Sequence, residues 1–206
     1  MAYSGRKALV KVGGVPVAMT DEATTVLSGT DITTDTQYQI TAVTKRIIDM
    51  NSSITVKVDG TVVTTGFKVD MLRGTVIFDT SAVRTVTVTG KYVPTSTAAE
   101  CYEWSINLNG ELIDVTKFQD EWATKIQGLK SAEGSLSRWY NVDRYFSNAL
   151  ISGSPVIVEM YTQDTLNPDR IWALINSDEM SAAVDGASEE AVSFESTDKM
   201  LVNYIQ

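Results

Sequence analysis

The side chains best able to do chemistry in this chain are carboxylates. Glu111, Asp114, Asp120 and Glu121 fall close together, and glycoside hydrolysis needs only two such groups at a set separation. No flanking pattern lifts them, however, and acids in a loop are usually solvated. Asp164, Asp169, Asp178 and Glu179 could supply the hard oxygen ligands that calcium takes, but their spacing matches no EF-hand loop. The chain has no histidine and one cysteine, Cys101. A Cys/His zinc site, a His-based triad and an internal disulfide are therefore excluded. Cys101 reads as a small, buried or half-buried side chain. The glycines form neither a Walker nor a dinucleotide fingerprint, and there is no Gly-x-Ser-x-Gly elbow. No cofactor is implied, and the chain does not read as an enzyme.

The elements that carry these residues are mostly strands. Trp104, Ile106 and Leu108 alternate with Ser105, Asn107 and Asn109, the period of a half-buried strand. Asn109-Gly110 follows and predicts a hairpin, with Glu111–Val115 returning antiparallel. Phe118, Trp122 and Ile126 recur every fourth residue ahead of Gly128, which predicts a short helix or helical loop over 116–130. Gly134–Tyr140 then reads as a third strand. Trp104, Trp139 and Trp172 read as core or interface anchors, and Trp122, beside Phe118, as a contact hot spot on a neighbouring subunit.

Upstream, Ala8–Val12, Gly13-Gly14 and Val15–Met19 predict another hairpin. Short strands follow at 38–42, 53–58, 61–65, 67–71, 75–78 and 84–93, with turns at Asp59-Gly60 and Arg73-Gly74 and a helical turn within 43–49. Such spacing signals a small sandwich or barrel. Downstream, Val142, Tyr145, Phe146, Ala149 and Leu150 lie on one face of an amphipathic helix capped by Asn141 or Asp143 and closed by Gly153. Strands are expected at 155–161, 171–176, 191–197 and 199–204.

The charge of −9 is uneven: +3 over residues 1–20, −1 over 21–99 and −11 over 100–206. Residues 178–198 hold seven acids and no base. Acidity favours solubility and disfavours stable nucleic-acid binding, because each Lys or Arg on a phosphate adds affinity by releasing counterions. With 43% hydrophobic and 21% charged residues, the composition is that of a globular protein. There is no apolar run of spanning length and no apolar N-terminal leader. Neither a membrane partner nor export through a signal peptide is therefore expected.

The succession WSINLNGELIDVT, an acidic-aromatic loop with EW, then IQGLKSAEGSLSRWY resembles the signature region of bacteriophage major tail tube proteins of the siphophage type. The likeness continues through SGSPVIVEMY and AVDGASEEAVSFEST and covers roughly half the chain. It implies an all-β fold with one or two short helices: a tail-tube β-sandwich core, residues 1–20 plus 100–206, interrupted by an inserted small β-domain, residues 21–99. In that family VKVGGVPVA leads almost directly into the signature strand, so the intervening stretch is a departure. The alternative is a single larger sandwich.

The resemblance further implies a structural virion protein, assembled in the host cytoplasm and located in the virion tail. Its rings, hexameric and stacked into a tube, would pass viral DNA during ejection without stably binding it. Its partners would be further copies of itself, a tape measure protein, and tail terminator or initiator proteins. The long loop would reach the adjacent ring through Phe118, Asp120, Glu121, Trp122 and Lys125. A basic arm with Arg6 and Lys7 would meet acids of a neighbouring subunit, and Glu189, Glu190 and Glu195 would face the lumen or an outer surface. The rival reading is an immunoglobulin-like or carbohydrate-binding β-module of a tail tip or cell surface.

Overall fold

The structure is a computed structural model that describes residues 9–27, 36–82, 84–98, 101–119, 121–139, 143–162, 168–182, 184, 186–198 and 200–201. The chain divides into two compact units, Gly13–Ser96 and Met1–Val12 with Thr97–Gln206. In chain order the strands are β1 (Leu9–Gly13), β2 (Val17–Val26), β3 (Gln37–Ile40), β4 (Thr55–Val58), β5 (Thr61–Val63), β6 (Phe67–Asp70) and β7 (Thr75–Phe78). They continue with β8 (Val86–Tyr92), β9 (Thr95–Thr97), β10 (Cys101–Asp114), β11 (Lys125–Trp139), β12 (Val156–Tyr161), β13 (Asp169–Ser181) and β14 (Glu189–Ser196). One α-helix, α1 (Tyr145–Ser152), and one 3-10 turn, Val43–Lys45, complete the regular structure of the described residues. The fold is therefore all-β, with a single short α-helix among the described residues, and no described helix is long and apolar enough to cross a membrane.

In the Gly13–Ser96 unit the strand order is β5-β4-β8-β2-β3-β7-β6. The first part of β2 pairs with β8, from Val17↔Tyr92, and its last residues pair with β3, from Thr24↔Ile40. The switch follows a register shift between Met19 and Glu22, where Asp21 adopts φ 48°. A bulge of this kind bends a strand enough to serve two layers. Val56, Val86 and Val88 close the core from one side, and Tyr38, Ile40, Val76 and Phe78 from the other. The turn at Asp59-Gly60 has φ 50° and 81°, the double positive φ of a type I′ hairpin.

The first hairpin expected from Gly13-Gly14 does not form. β1 pairs instead with β12, from Leu9↔Tyr161 to Val12↔Val158, which sets Val10 against Met160. Gly14 N–H donates to Pro94 O at 2.7 Å, and β2 takes β8 as its partner.

The other unit holds a seven-stranded sheet in the order β10-β11-β14-β13-β12-β1-β9. Alternate residues of its strands, among them Leu136, Val158, Met160, Ile171, Ala173, Val192 and Phe194, form one core on which α1 lays Phe146 and Ala149. The helix closes at Gly153 (φ 62°) as expected. The N-cap residue is Arg144 (φ 46°) rather than Asn141 or Asp143, and it makes no side-chain cap bond; Asp143, one residue before it, accepts the Tyr145 N–H through Oδ1 at 3.1 Å. Asn141 and Val142 lie outside the described residues, as does most of the strand expected at 199–204; Leu201 forms a single bridge with Arg170.

The signature region also folds differently from its local signals. Asn109-Gly110 is not a turn: Asn109 pairs with Ser131 and Gly110 with Lys130 in mid-strand, and β10 runs on to Asp114. Gly110 has no positive φ, and a Cβ there would meet only the end of the exposed Gln127 side chain, 2.8 Å from Nε2, beside a register shift. The helix expected over 116–130 is absent, because β11 begins at Lys125 and continues through the expected third strand to Trp139. The i+4 spacing of Phe118, Trp122 and Ile126 marks no buried stripe, as all three are exposed.

Candidate assembly surface

β10 and β11 outgrow the sheet they belong to. β11 pairs with β14 only from Glu133 to Trp139, whereas its pairing with β10 continues to Asp114↔Lys125. Residues 108–114 and 125–132 therefore form a two-stranded arm, which at ~3.3 Å per residue reaches ~20 Å beyond the sheet. Leu108 and Leu112 stand on one face, while Ile113 pairs with Ile126 on the other, and all four are exposed. A two-stranded ribbon is marginal in water by itself, and one with apolar side chains on both faces calls for cover on both.

The tip of the arm is tied by short polar contacts. Val115 N–H donates to Thr124 O at 2.9 Å, and Thr124 N–H to Thr116 Oγ1 at 3.0 Å. Asp114 Oδ1 accepts the Thr116 hydroxyl at 2.5 Å and its N–H at 2.9 Å. Those two bonds, the hydroxyl first, hold the Asp114 carboxyl below its usual range. Gln119 sits at φ 86°. Upon this frame Phe118 is 102% exposed and Trp122 84%. Glu121 and Lys125 are exposed beside them, so the tip does gather the expected contact residues; Asp120, Arg6 and Lys7 lie outside the described residues.

At the end of β11 opposite the arm lies a buried charge cluster. Arg138 of β11 donates through Nε to Glu190 Oε2 at 2.5 Å and through Nη2 to Asp143 Oδ1 at 2.7 Å, with its guanidinium 4.9 Å from the Phe146 ring centroid. Burial disfavours the charged guanidinium, but the bonds to Asp143 and Glu190 outweigh it and raise the Arg138 pKa. Glu190 moves upward, burial outweighing its bond to Arg138, while Asp143 is lowered chiefly by that same arginine. Glu190 is 1% exposed. Its expected place on a lumen or surface is thus corrected: alternation turns Glu190 into the core side and leaves Glu189 and Glu195 exposed.

The face of β10, β11 and β14 opposite the core is polar and small. Ser105 and Ser135 meet at 2.9 Å, Ser177 and Ser193 at 2.8 Å, Asn107 stands across from Glu133, and Glu133 across from Glu195. From Glu103 to Asn109, Ser131 to Trp139 and Glu189 to Glu195, no residue on this face is Lys or Arg. At one end Trp139 stacks on Tyr102, with ring centroids 4.8 Å apart. Sequence reasoning picked out Glu195 but passed over Glu133 and the serine ladder. Their signal was the unbroken alternation on both sides of Asn109-Gly110.

The candidate chemical groups do not converge. Glu111 and Asp114 fall on opposite faces of the arm, as residues three apart on a strand must. Among the described residues no cluster of His, Cys, Asp and Glu could hold a metal ion; Asp164 lies outside them, and Asp178 accepts the Ser147 hydroxyl. Cys101 is half-buried, its thiol pushed up by burial. Trp172 is buried, while Trp104 packs at the edge of the core.

No protein-family model matches the chain, and no curated protein matches it. Among solved structures, it is similar to a chain in the tail of an empty gene transfer agent particle, determined by helical refinement with C6 symmetry. The identity there is 17% and the TM-score 0.49, over 54% of this chain and 87% of that one. It is also similar to a chain in the virion of a native gene transfer agent particle, at 17% identity and TM-score 0.48, over 54% and 89%.

Proposed function

We infer that this chain is a structural virion protein, the major tail tube subunit of a tailed phage or prophage-derived particle. Hexameric rings of it stack into the hollow conduit for DNA. The observation that carries this reading is the arm: a tied ribbon with apolar side chains on both faces and two bare aromatics at its tip. An exposed apolar surface of this kind marks an interaction site. In a tube it is covered by the next ring, with Phe118 and Trp122 as the anchors and Glu121 and Lys125 beside them.

The cation-free face of β10, β11 and β14 fits the lumen. Hydroxyl, amide and carboxylate groups offer a phosphate backbone no counterion release, so DNA slides past without being held. Glu133 and Glu195 supply the repulsion there, and Glu189 lies at the rim. The expected insert, residues 21–99, is the addition to the tube fold; the compact unit that contains most of it runs from Gly13 to Ser96 and so also takes in residues 13–20, which were expected in the core. Tape measure, terminator and initiator proteins enter through the resemblance of the signature region, as does assembly in the host cytoplasm.

Negative-stain electron microscopy of the purified chain over a rising concentration series tests this reading. Rings or hollow tubes are expected. Monomers that persist at every concentration, with or without a seeding tail tip, would sink it and favour a carbohydrate-binding or immunoglobulin-like module.

A further inference from the structure

Where α1 lies on the sheet, three carboxyl groups share one guanidinium. Arg138 donates to Asp143 through both terminal nitrogens and to Glu190 through Nε. Glu190 on β14 is in turn within hydrogen-bond reach of Asp178 on β13, and Asp178 is paired with Val192, on the core side of the sheet. With all three acids ionised, three negative charges would face one positive charge.

The hydrogen bonds of the cluster are one donor short. Glu190 is enclosed, and its Oε2 accepts from Arg138. Asp178 Oδ2 accepts the Ser147 hydroxyl of α1, but Asp178 Oδ1 is buried and has no donor among the described residues. Two further titratable groups stand beside the cluster, Tyr145 of α1 and Cys101 of β10. Burial pushes the phenol up to about 12 and pushes the thiol up as well, so neither supplies a charge where carboxyls titrate. A buried acceptor without a donor is costly. A proton on the adjoining carboxyl removes the deficit.

We propose that Glu190 binds a proton and donates it to Asp178 Oδ1, and that this proton is the catch that holds α1 to β13. Oε2 of the neutral Glu190 still accepts from Arg138, whose charge stays matched by Asp143. When the proton leaves, Glu190 and Asp178 repel, and Arg138 engages only the first of them. Glu190 is enclosed whereas Asp178 is part-exposed, so Asp178 is the group that turns outward, and it takes with it the acceptor for Ser147. The helix then keeps its apolar contacts through Phe146 and Ala149 but loses its polar tie to β13. Burial raises the Glu190 carboxyl, and a raised group contributes fully below its ordinary value and ceases to as pH rises through the raised one. The catch is therefore closed in acid and opens on the alkaline side.

Hydrogen exchange of the α1 amides in the intact chain, assembled or not, tests it when read by mass spectrometry as protection factors, in which the intrinsic pH dependence cancels. Protection should fall as pH rises above the ordinary glutamate range, by up to about tenfold per pH unit, the limit for one linked proton. Glu190→Gln, whose amide donates to Asp178 at any pH, should keep α1 protected throughout. Asp178→Asn, whose amide donates to an ionised Glu190, should also abolish the pH dependence. Flat protection in the unaltered chain, an equal fall in β12, or a fall that persists in both variants would overturn the catch. If the variants do not fold, the carbon-13 carboxyl resonance of Glu190 in the unaltered chain decides: a group ionised at every pH down to the ordinary glutamate value would overturn it.

Discussion

The Arg138 guanidinium meets the Glu190 carboxylate at 2.5 Å, with both residues 1% exposed, and this contact ties the end of β11 farthest from the arm to β14. Removing one member strands the other. Arg138→Leu should cost about 3–5 kcal/mol, the usual penalty for leaving a buried charge unpaired, read as a fall in the urea unfolding midpoint. A loss below about 1 kcal/mol would mean that the cluster is hydrated in solution.

The two carboxylates around Arg138 respond to pH with opposite sign. Asp143, lowered by its hydrogen bond to Arg138, adds stability above the ordinary aspartate value, which is lost as pH falls through the lowered one. Glu190, raised by burial, adds stability below the ordinary glutamate value, which is lost as pH rises through the raised one. Glu190→Gln should therefore remove the fall in stability that begins as pH rises above the ordinary glutamate value and leave the loss below the ordinary aspartate value in place. A fall that persists unchanged in the variant would count against a buried, raised Glu190.

Phe118→Ala and Trp122→Ala remove side chains that touch little within the protomer. Thermal unfolding of the unassembled chain should stay within about 0.5 kcal/mol of the parent, while sedimentation should show loss of large particles. Matching losses of stability and assembly would show that the aromatics fold back onto their own chain.

Gly134 lies beneath the Phe194 ring. A Cβ there would sit 2.4 Å from Phe194 Cζ and 2.8 Å from the Ser105 carbonyl oxygen. Gly134→Ala should cost about 1–3 kcal/mol by overpacking, with a matched change in near-ultraviolet circular dichroism as the ring shifts. Equal stability would require that the ring has room to move.

Much of the strand content was legible locally. Asp59-Gly60 makes its hairpin because both residues reach positive φ within the loop, and α1 ends at Gly153 for the same kind of reason. The arm was legible in part. Phe118 and Trp122 were picked out, but Asn109-Gly110 read as a turn and the tip as a helix. The Asn-Gly signal was overridden because β11 offers β10 partners beyond it: Asn109 Nδ2 donates to Glu133 Oε1 at 3.1 Å, and Ile113 pairs with Ile126. A dipeptide propensity of about a kilocalorie yields to a ladder of that length.

By itself the amino-acid sequence determined the class: alternating apolar residues and β-branched side chains demand strands, and the absence of histidine removes His-based chemistry whatever the fold. It also determined the acidity of the second half. Only the tertiary structure decided which strands pair, that Glu190 points inward while Glu195 points out, and that the bare aromatics stand at the end of a long ribbon. The physical reason is range. Periodicity and turn chemistry act over a few residues, whereas β1 finds β12 and Arg138 finds Glu190 across long stretches of chain, through burial and pairing that no local window contains.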